Sequence, residues 1–354
     1  MISESHDKLA RHLDSLPGGF PPSKTGVELR LLRRLFTPEE AELAVCLTLE
    51  QEEAPTIAAR AGISPAECEK RLKCMARKGL IFSVEKEGQS ARYQAAPWIV
   101  GIYEFQVNRL DEDFANDFDE HTTIRIKDPR LKKVIPQVRT IPVGRSIEHG
   151  LEILPYEKVE GLVKSQQSFA VAPCICRRKA DILGTGCEAP RESCLIFGQW
   201  ADYYVRNDQG RSIDQDEVMD ILLKADEANL VLQPSNSIDI AFICACCGCC
   251  CGVLANLKRH PKPSERVANA FIARAEAEMC EGCGVCVGRC QMEALEVVDD
   301  RVVLDSDRCI GCGLCVSTCP SGALTLTRKP LTPQARIPET MEMTWREIGR
   351  SWGK

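Results

Sequence analysis

Cys280-Glu-Gly-Cys283-Gly-Val-Cys286-Val-Gly-Arg-Cys290 and Cys309-Ile-Gly-Cys312-Gly-Leu-Cys315-Val-Ser-Thr-Cys319 decide how this chain is read. The two runs repeat at a period of 29 residues. Gly282 matches Gly311, Gly284 matches Gly313, and Ala294-Leu295 matches Ala323-Leu324. Three closely spaced thiolates can wrap a loop around one polynuclear metal centre. Glycine lets such a loop turn tightly and aim its N–H groups inward. A zinc ribbon needs only two CxxC pairs, so it leaves a duplicated eight-cysteine unit unexplained.

This pattern resembles the bacterial-type two-cluster ferredoxins, C-x2-C-x2-C-x3-C-P. The resemblance implies two 4Fe-4S clusters, with the fourth Cys of each run serving the other cluster. One cluster then takes Cys280, Cys283, Cys286 and Cys319; the other takes Cys309, Cys312, Cys315 and Cys290. The second run keeps Pro320 after its last Cys, whereas the first has Gln291. That departure alters local geometry or potential and removes no ligand.

Outward from the repeat, the composition is that of a globular chain. Its 354 residues suffice for two or three domains of roughly 100–200 residues. A net charge of −6 and 5% aromatics argue against a whole-chain grip on nucleic acid. The abnormal number is 21 Cys, of which eighteen fall between Cys174 and Cys319. Met1 to Phe20 is charged throughout and has no apolar signal region, so a secreted disulfide scaffold is not expected. The expected compartment is the cytoplasm, where regularly spaced Cys means thiolate metal ligation. Ile240 to Ala255 is uncharged, but it is shorter than the roughly 20 residues of a span and rich in Cys. No membrane insertion is expected.

Ten further Cys stand upstream in two groups: Cys174, Cys176, Cys187 and Cys194, then Cys244, Cys246, Cys247, Cys249, Cys250 and Cys251. Neither group matches a ferredoxin run. They are expected to supply one or two additional iron-sulfur clusters. Zinc, buried thiols or a redox disulfide are the alternatives. Adjacent Cys cannot easily all reach one cubane, so one or two of the six from Cys244 to Cys251 are expected to be spares. Arg177, Arg178 and Lys179 either help hold an anionic centre or form a solvated face.

The expected fold class is α+β and multidomain: a winged-helix-like N-terminal domain, an α/β Cys-rich middle domain and a C-terminal two-cluster ferredoxin-like domain. Residues 1–36 read as a polar lead-in with a helix from Val27. Residues 37–95 read as winged-helix-like. There Thr37 caps a helix that opens at Pro38, Ser64 caps another with Glu67 completing a capping box, and strands near 80–84 and 91–94 form a hairpin. Residues 96–172 form an α/β connector with an acidic patch from Asp111 to Glu120. Residues 173–260 carry the ten upstream Cys, with a helix near 213–228 capped by Asp214 or Ser212. The ferredoxin domain spans 265–330. The tail, 331–354, is expected to wrap the surface or order loosely.

The combination also resembles a family of 4Fe-4S binding proteins from anaerobic bacteria that begin with a winged-helix-like segment. The expected function is electron transfer to or from a partner oxidoreductase. One alternative is an enzyme with an open-site cluster within Cys174–Cys251. Another is a redox-sensing DNA-binding regulator. No Rossmann, Walker or radical-SAM motif is present to support a nucleotide enzyme. Residues 1–95 hold 14 basic and 14 acidic side chains, so DNA binding is not favoured. Lys70, Arg71, Lys73 and Lys78 are expected to meet an acidic partner surface.

Overall fold

In a computed structural model, the described residues are 2–132, 135–147, 154–329 and 337–351. The N-terminal layer is helical. It contains α1 (Ile2–Ser15), α2 (Val27–Leu35), α3 (Pro38–Val45), α4 (Ala54–Ala61) and α5 (Pro65–Arg77). A small antiparallel sheet joins them, with order β1 (Glu52–Glu53), β3 (Arg92–Gln94), β2 (Phe82–Val84). The helices and hairpin expected from the sequence all form.

Four expectations need correction here. The lead-in is part of the core, because Leu9 and Leu13 on α1 are buried. The acidic patch is a helix, α6 (Glu112–Arg125), whose cap is Asp111. Its carboxylates meet α2 through Arg30, which pairs with Asp117 at 2.8 Å and Glu120 at 2.9 Å. The full capping box lies at Thr37 and Glu40. Ser64 does accept from the Glu67 N–H, but Glu67 turns its carboxylate to Arg71 at 2.6 Å. Finally, the described part of the tail is anchored: α13 (Met341–Ser351) buries Trp345, whose indole N–H donates to Gln137 Oε1 at 3.0 Å, while 331–336 and 352–354 lie outside the described residues. Aromatic and aliphatic side chains spaced along α13 supply a buried face that the proline-rich approach to it obscures.

The middle region is a five-stranded antiparallel sheet. Its order is β6 (Arg211–Ser212), β4 (Phe169–Pro173), β5 (Glu192–Phe197), β8 (Phe242–Cys246), β7 (Val231–Pro234). Strand side chains alternate between faces. Ala170, Ala172 and Ile196 therefore face the N-terminal core, while Val171, Leu195 and Ile243 face a second core. The connecting helices are α7 (Val159–Lys164), α8 (Ile175–Ile182), α9 (Gly198–Arg206), α10 (Gln215–Glu227) and α11 (Gly252–Arg259). Asp214 caps α10 by accepting from the Glu217 N–H at 2.8 Å.

Helix α9 fastens the sheet to the N-terminal layer. Trp200 stacks on Phe82 at 4.0 Å, and the Tyr203 hydroxyl reaches the Ala76 and Ile81 carbonyls at 3.0 and 2.8 Å. The last region contains β9 (Phe271–Ala275), α12 (Val285–Arg289), β10 (Leu295–Val298), β11 (Arg301–Leu304) and β12 (Leu324–Arg328). It forms two two-stranded ladders, β9 with β12 and β10 with β11. The uncharged stretch at 240–255 divides into β8, a turn and the start of α11. Among the described residues, no helix is long and apolar enough to cross a membrane.

Buried His121 gives this fold a pH signature. Its ring lies 4.4 Å from Phe20, and Nε2 meets the Pro21 carbonyl at 3.2 Å. Burial drives its pKa down to about 4, against the weaker pull of that carbonyl. The folded state thus holds His121 neutral. Its contribution is fully present above the ordinary value of 6.5 and is lost as pH falls from there towards 4. That gap corresponds to about 3 kcal/mol. Anaerobic urea unfolding between pH 4 and 7.5 is expected to show this loss, and His121→Gln is expected to flatten it. Equal slopes for the two proteins would contradict the assignment.

Candidate metal centres

The eight ferredoxin-type Cys sit in two halves that exchange matching hydrogen bonds. The Ala273 N–H donates to Cys309 Sγ at 3.4 Å, and the Val302 N–H donates to Cys280 Sγ at 3.3 Å. Each bond joins a strand of one half to the first Cys of the other, 29 residues out of step. Gly282, Gly284, Gly311 and Gly313 all take positive φ, between 66° and 74°. At Gly311 a side chain would also collide with the Phe271 carbonyl. Loops of this shape turn N–H groups towards the thiols.

Cys290, Cys309, Cys312 and Cys315 line one small cavity. Cys290 contributes electrostatically to Cys309, Cys312 and Cys315, and Cys319 to Cys286. The structure therefore brings each fourth Cys beside the other run, where the ferredoxin pattern expects it. Burial pushes the Cys312 thiol up to about 12. Burial also acts on Cys319, but Ser321 and the N–H groups of Leu324 and Ala323 outweigh it and lower that thiol. Cys283 is exposed, as are its apolar neighbours Met279, Val285 and Val287.

The ten upstream Cys separate into six and four. Cys194 on β5 lies opposite Cys244 on β8, and Cys246 follows two residues later on the same face. Cys174 is the N-cap of α8, and Cys251 is the N-cap of α11. Helix N-termini favour negative charge, which suits thiolates. Each of these thiols shifts the protonation of its neighbour, in the order Cys194, Cys244, Cys246, Cys251, Cys176, Cys174. Cys244 and Cys251 receive from thiols on both sides, and this holds both well below the usual thiol value. Cys174, Cys194 and Cys246 are pushed well above it by donating to neighbouring thiols and by burial.

These six thiols, with Cys247 and Cys250 at its edge, line a cavity of about 680 Å³ bounded by the sheet, the N-terminal layer, α11 and residues 265–268. In its wall, Tyr103 Oη and Gln233 Oε1 are buried without a hydrogen-bond partner. None of the 21 Cys forms a disulfide. A thiol-lined cavity with unsatisfied polar atoms fits a bound metal-sulfur group and is poorly explained as an apolar core.

The other four, Cys187, Cys247, Cys249 and Cys250, gather in the turn after β8 and the loop before β5. The six Cys from Cys244 to Cys251 thus divide three and three between the two groups. The strand ends at Cys246, so the turn carries the next three to a different place. Among these, Cys247 is opposed by burial. The Cys250 N–H and the Arg177 charge nonetheless bring it down to about 7.

Two side chains join the groups. Arg177 is fully buried, which overturns the solvated-face alternative for this residue. Its guanidinium donates to Pro190 O at 3.0 Å, to Ser193 Oγ and to Ala245 O at 2.8 Å. Burial works against its charge, but the surrounding Cys174, Cys247 and Cys246 raise its pKa overall. Arg178 and Lys179 are half-buried, and Lys179 pairs with Asp119.

Gln291, the departure from the ferredoxin pattern, accepts from the Gly248 N–H at 2.7 Å and donates to Asn229 O at 2.7 Å. Proline could do neither. The missing proline was itself the signal, although sequence alone gives no partner for it. Nearby, Arg289 from α12 pairs with buried Asp226 of α10 at 2.7 Å.

Residues 302–325 match the 4Fe-4S binding domain family. The chain is therefore an iron-sulfur protein with at least one 4Fe-4S cluster. The match contains Cys309, Cys312, Cys315 and Cys319; the earlier run and the ten upstream Cys lie outside it. No curated protein and no solved structure matches the chain.

Arg177 is expected to be costly to remove. Arg177→Met strands two buried carbonyls, at roughly 1–3 kcal/mol for each unsatisfied group. Lys lacks the planar fork, so Arg177→Lys should recover little. Anaerobic urea titration is expected to place both variants about 3 kcal/mol below wild type. Full rescue by Lys would mean that only the charge matters.

Proposed function

We propose that the chain is an electron-transfer protein whose ferredoxin half holds two 4Fe-4S clusters and whose sheet holds a third. A 4Fe-4S cluster takes up and gives back one electron at a time. The chain's own residues set where electrons enter and which way they move. The observation that carries the reading is the contiguity of the thiol groups. The Cys290 loop touches the Cys247–Cys250 turn through Gln291, and Arg177 bridges that turn to the Cys244 strand.

Exposure grades along the same line. Cys283 and its apolar rim are open, whereas Cys309 and Cys315 are buried. A redox partner would dock beside Cys283, where apolar contact and short distance coincide. The Val302, Ala294 and Ala273 N–H groups donate to Cys280, Cys290 and Cys309, and hydrogen bonds to cluster sulfurs tune a cluster's potential.

The partner surface first expected on α5 is weaker support. Arg71, Lys73 and Lys78 pair with Glu67, Glu69 and Glu40, leaving little free positive charge there. The same pairing counts against reading DNA phosphates.

A second reading rests on the cavity beside the six thiols. Its volume falls in the range of small-molecule pockets, roughly 300–1,000 Å³. Glu104 lines it, and burial raises that carboxyl to about 7 against the Gly101 N–H it accepts at 2.9 Å. A half-buried carboxyl facing this cavity and poised near neutrality beside a thiol-bearing face is what proton-coupled reduction of a small substrate requires.

Iron and acid-labile sulfide, measured after anaerobic purification, test the first reading. The full chain is expected to carry more than the iron of two clusters. The double variant Cys244→Ser/Cys251→Ser is expected to lose one cluster's iron and sulfide and to keep the reduced ferredoxin EPR signal. Iron for two clusters in both proteins would refute the third cluster.

A further inference from the structure

The four-thiol group has a geometry of its own. Cys187 Sγ lies 3.9 Å from Cys247 Sγ and 3.7 Å from Cys250 Sγ, and Cys249 Sγ lies 3.7 Å from Cys250 Sγ. All four sulfurs lie within 4.8 Å of one another. We propose that Cys187, Cys247, Cys249 and Cys250 bind one metal ion tetrahedrally and are not ligands of an iron-sulfur cubane.

A metal–sulfur bond of about 2.3 Å places the corners of a tetrahedron about 3.8 Å apart. Three of the six sulfur–sulfur distances match that spacing, and the remaining three stay within 4.8 Å. A cubane holds its four irons at separate corners, so its thiolates spread wider than those of one ion. The adjacency of Cys249 and Cys250 points the same way, because neighbours in a tight turn reach one ion more easily than two irons.

The ion is zinc or a single iron, both of which take four thiolates tetrahedrally. Four protein ligands close the site, so its work is to hold a turn. Gly248 lies between two ligands, and its N–H donates to Gln291. A side chain at Gly248 would meet Gln291 Oε1 at 2.8 Å and Gln291 O at 3.0 Å. The ion therefore fixes a turn through which the ferredoxin half contacts the end of the sheet. A zinc ion would brace this contact only. An iron ion would also add a redox step between the two halves. The site stands whether or not the six-thiol group holds a cluster.

The test compares the full-length chain with Cys187→Ser/Cys249→Ser, both purified anaerobically and assayed for zinc, iron and acid-labile sulfide. Wild type is expected to hold one equivalent of zinc, or one iron in excess of sulfide. The variant is expected to lose that equivalent with sulfide and the 4Fe-4S EPR signal unchanged. Protein grown in cobalt(II) is expected to show the intense visible bands of a tetrahedral tetrathiolate, absent from the variant. Cys249→His, at an exposed position, is expected to shift those bands while sulfide stays constant. Loss of iron together with equal sulfide would overturn the proposal by making these residues cluster ligands. No metal loss and no cobalt bands would overturn it by leaving no ion at all.

Discussion

Thiolates repel one another, and the eighteen thiols from Cys174 to Cys319 crowd into a few small places. Each group is tolerable only if its thiols stay protonated and share weak hydrogen bonds, or if a metal lies between them. Metal binding converts the crowding into folding energy. The ferredoxin half shows how much depends on this. Its small core is Ala273, Ala294, Leu295, Val302 and Leu324 together with Cys286, Cys309 and Cys315. Two short ladders around so few apolar side chains make a weak unit without bound metal.

The rest of the molecule supplies rigidity to these groups. The antiparallel sheet sets Cys194, Cys244 and Cys246 on one face by register alone. Two helix N-caps add Cys174 and Cys251. Helix α9 then ties the sheet to the N-terminal layer through Trp200 and Tyr203, and α13 closes the same aromatic seam with Trp345, 5.7 Å from Trp200. The N-terminal helices and hairpin are thus fixed to the thiol-bearing sheet and do not hang from it. A change of charge at the six-thiol group would press on the wall that carries Tyr103 and Glu104.

The ferredoxin repeat was legible because its chemistry forces a spacing, and the glycines betray the turns. The cap at Thr37 and the helix from Gln215 were legible from local patterns. The six-and-four division was not. The C-x-C of β8 hints at one strand face, but the loop carrying Cys187 meets Cys247 only through tertiary contact. Arg177 and Gln291 were hidden for the same reason. A charged residue beside other charges reads as surface, and nothing local says that Ala245 and Pro190 offer it carbonyls. Likewise Trp345 lies beyond a proline-rich stretch that masks the buried face of its helix.

Anomalous diffraction at the iron edge, from crystals grown anaerobically, tests the central claim most directly. The account predicts three multi-iron peaks. One lies among Cys280, Cys283, Cys286 and Cys319; one among Cys290, Cys309, Cys312 and Cys315; one against Cys194, Cys244, Cys246 and Cys251. Iron confined to the first two places, with the sheet thiols protonated or joined as disulfides, would contradict it.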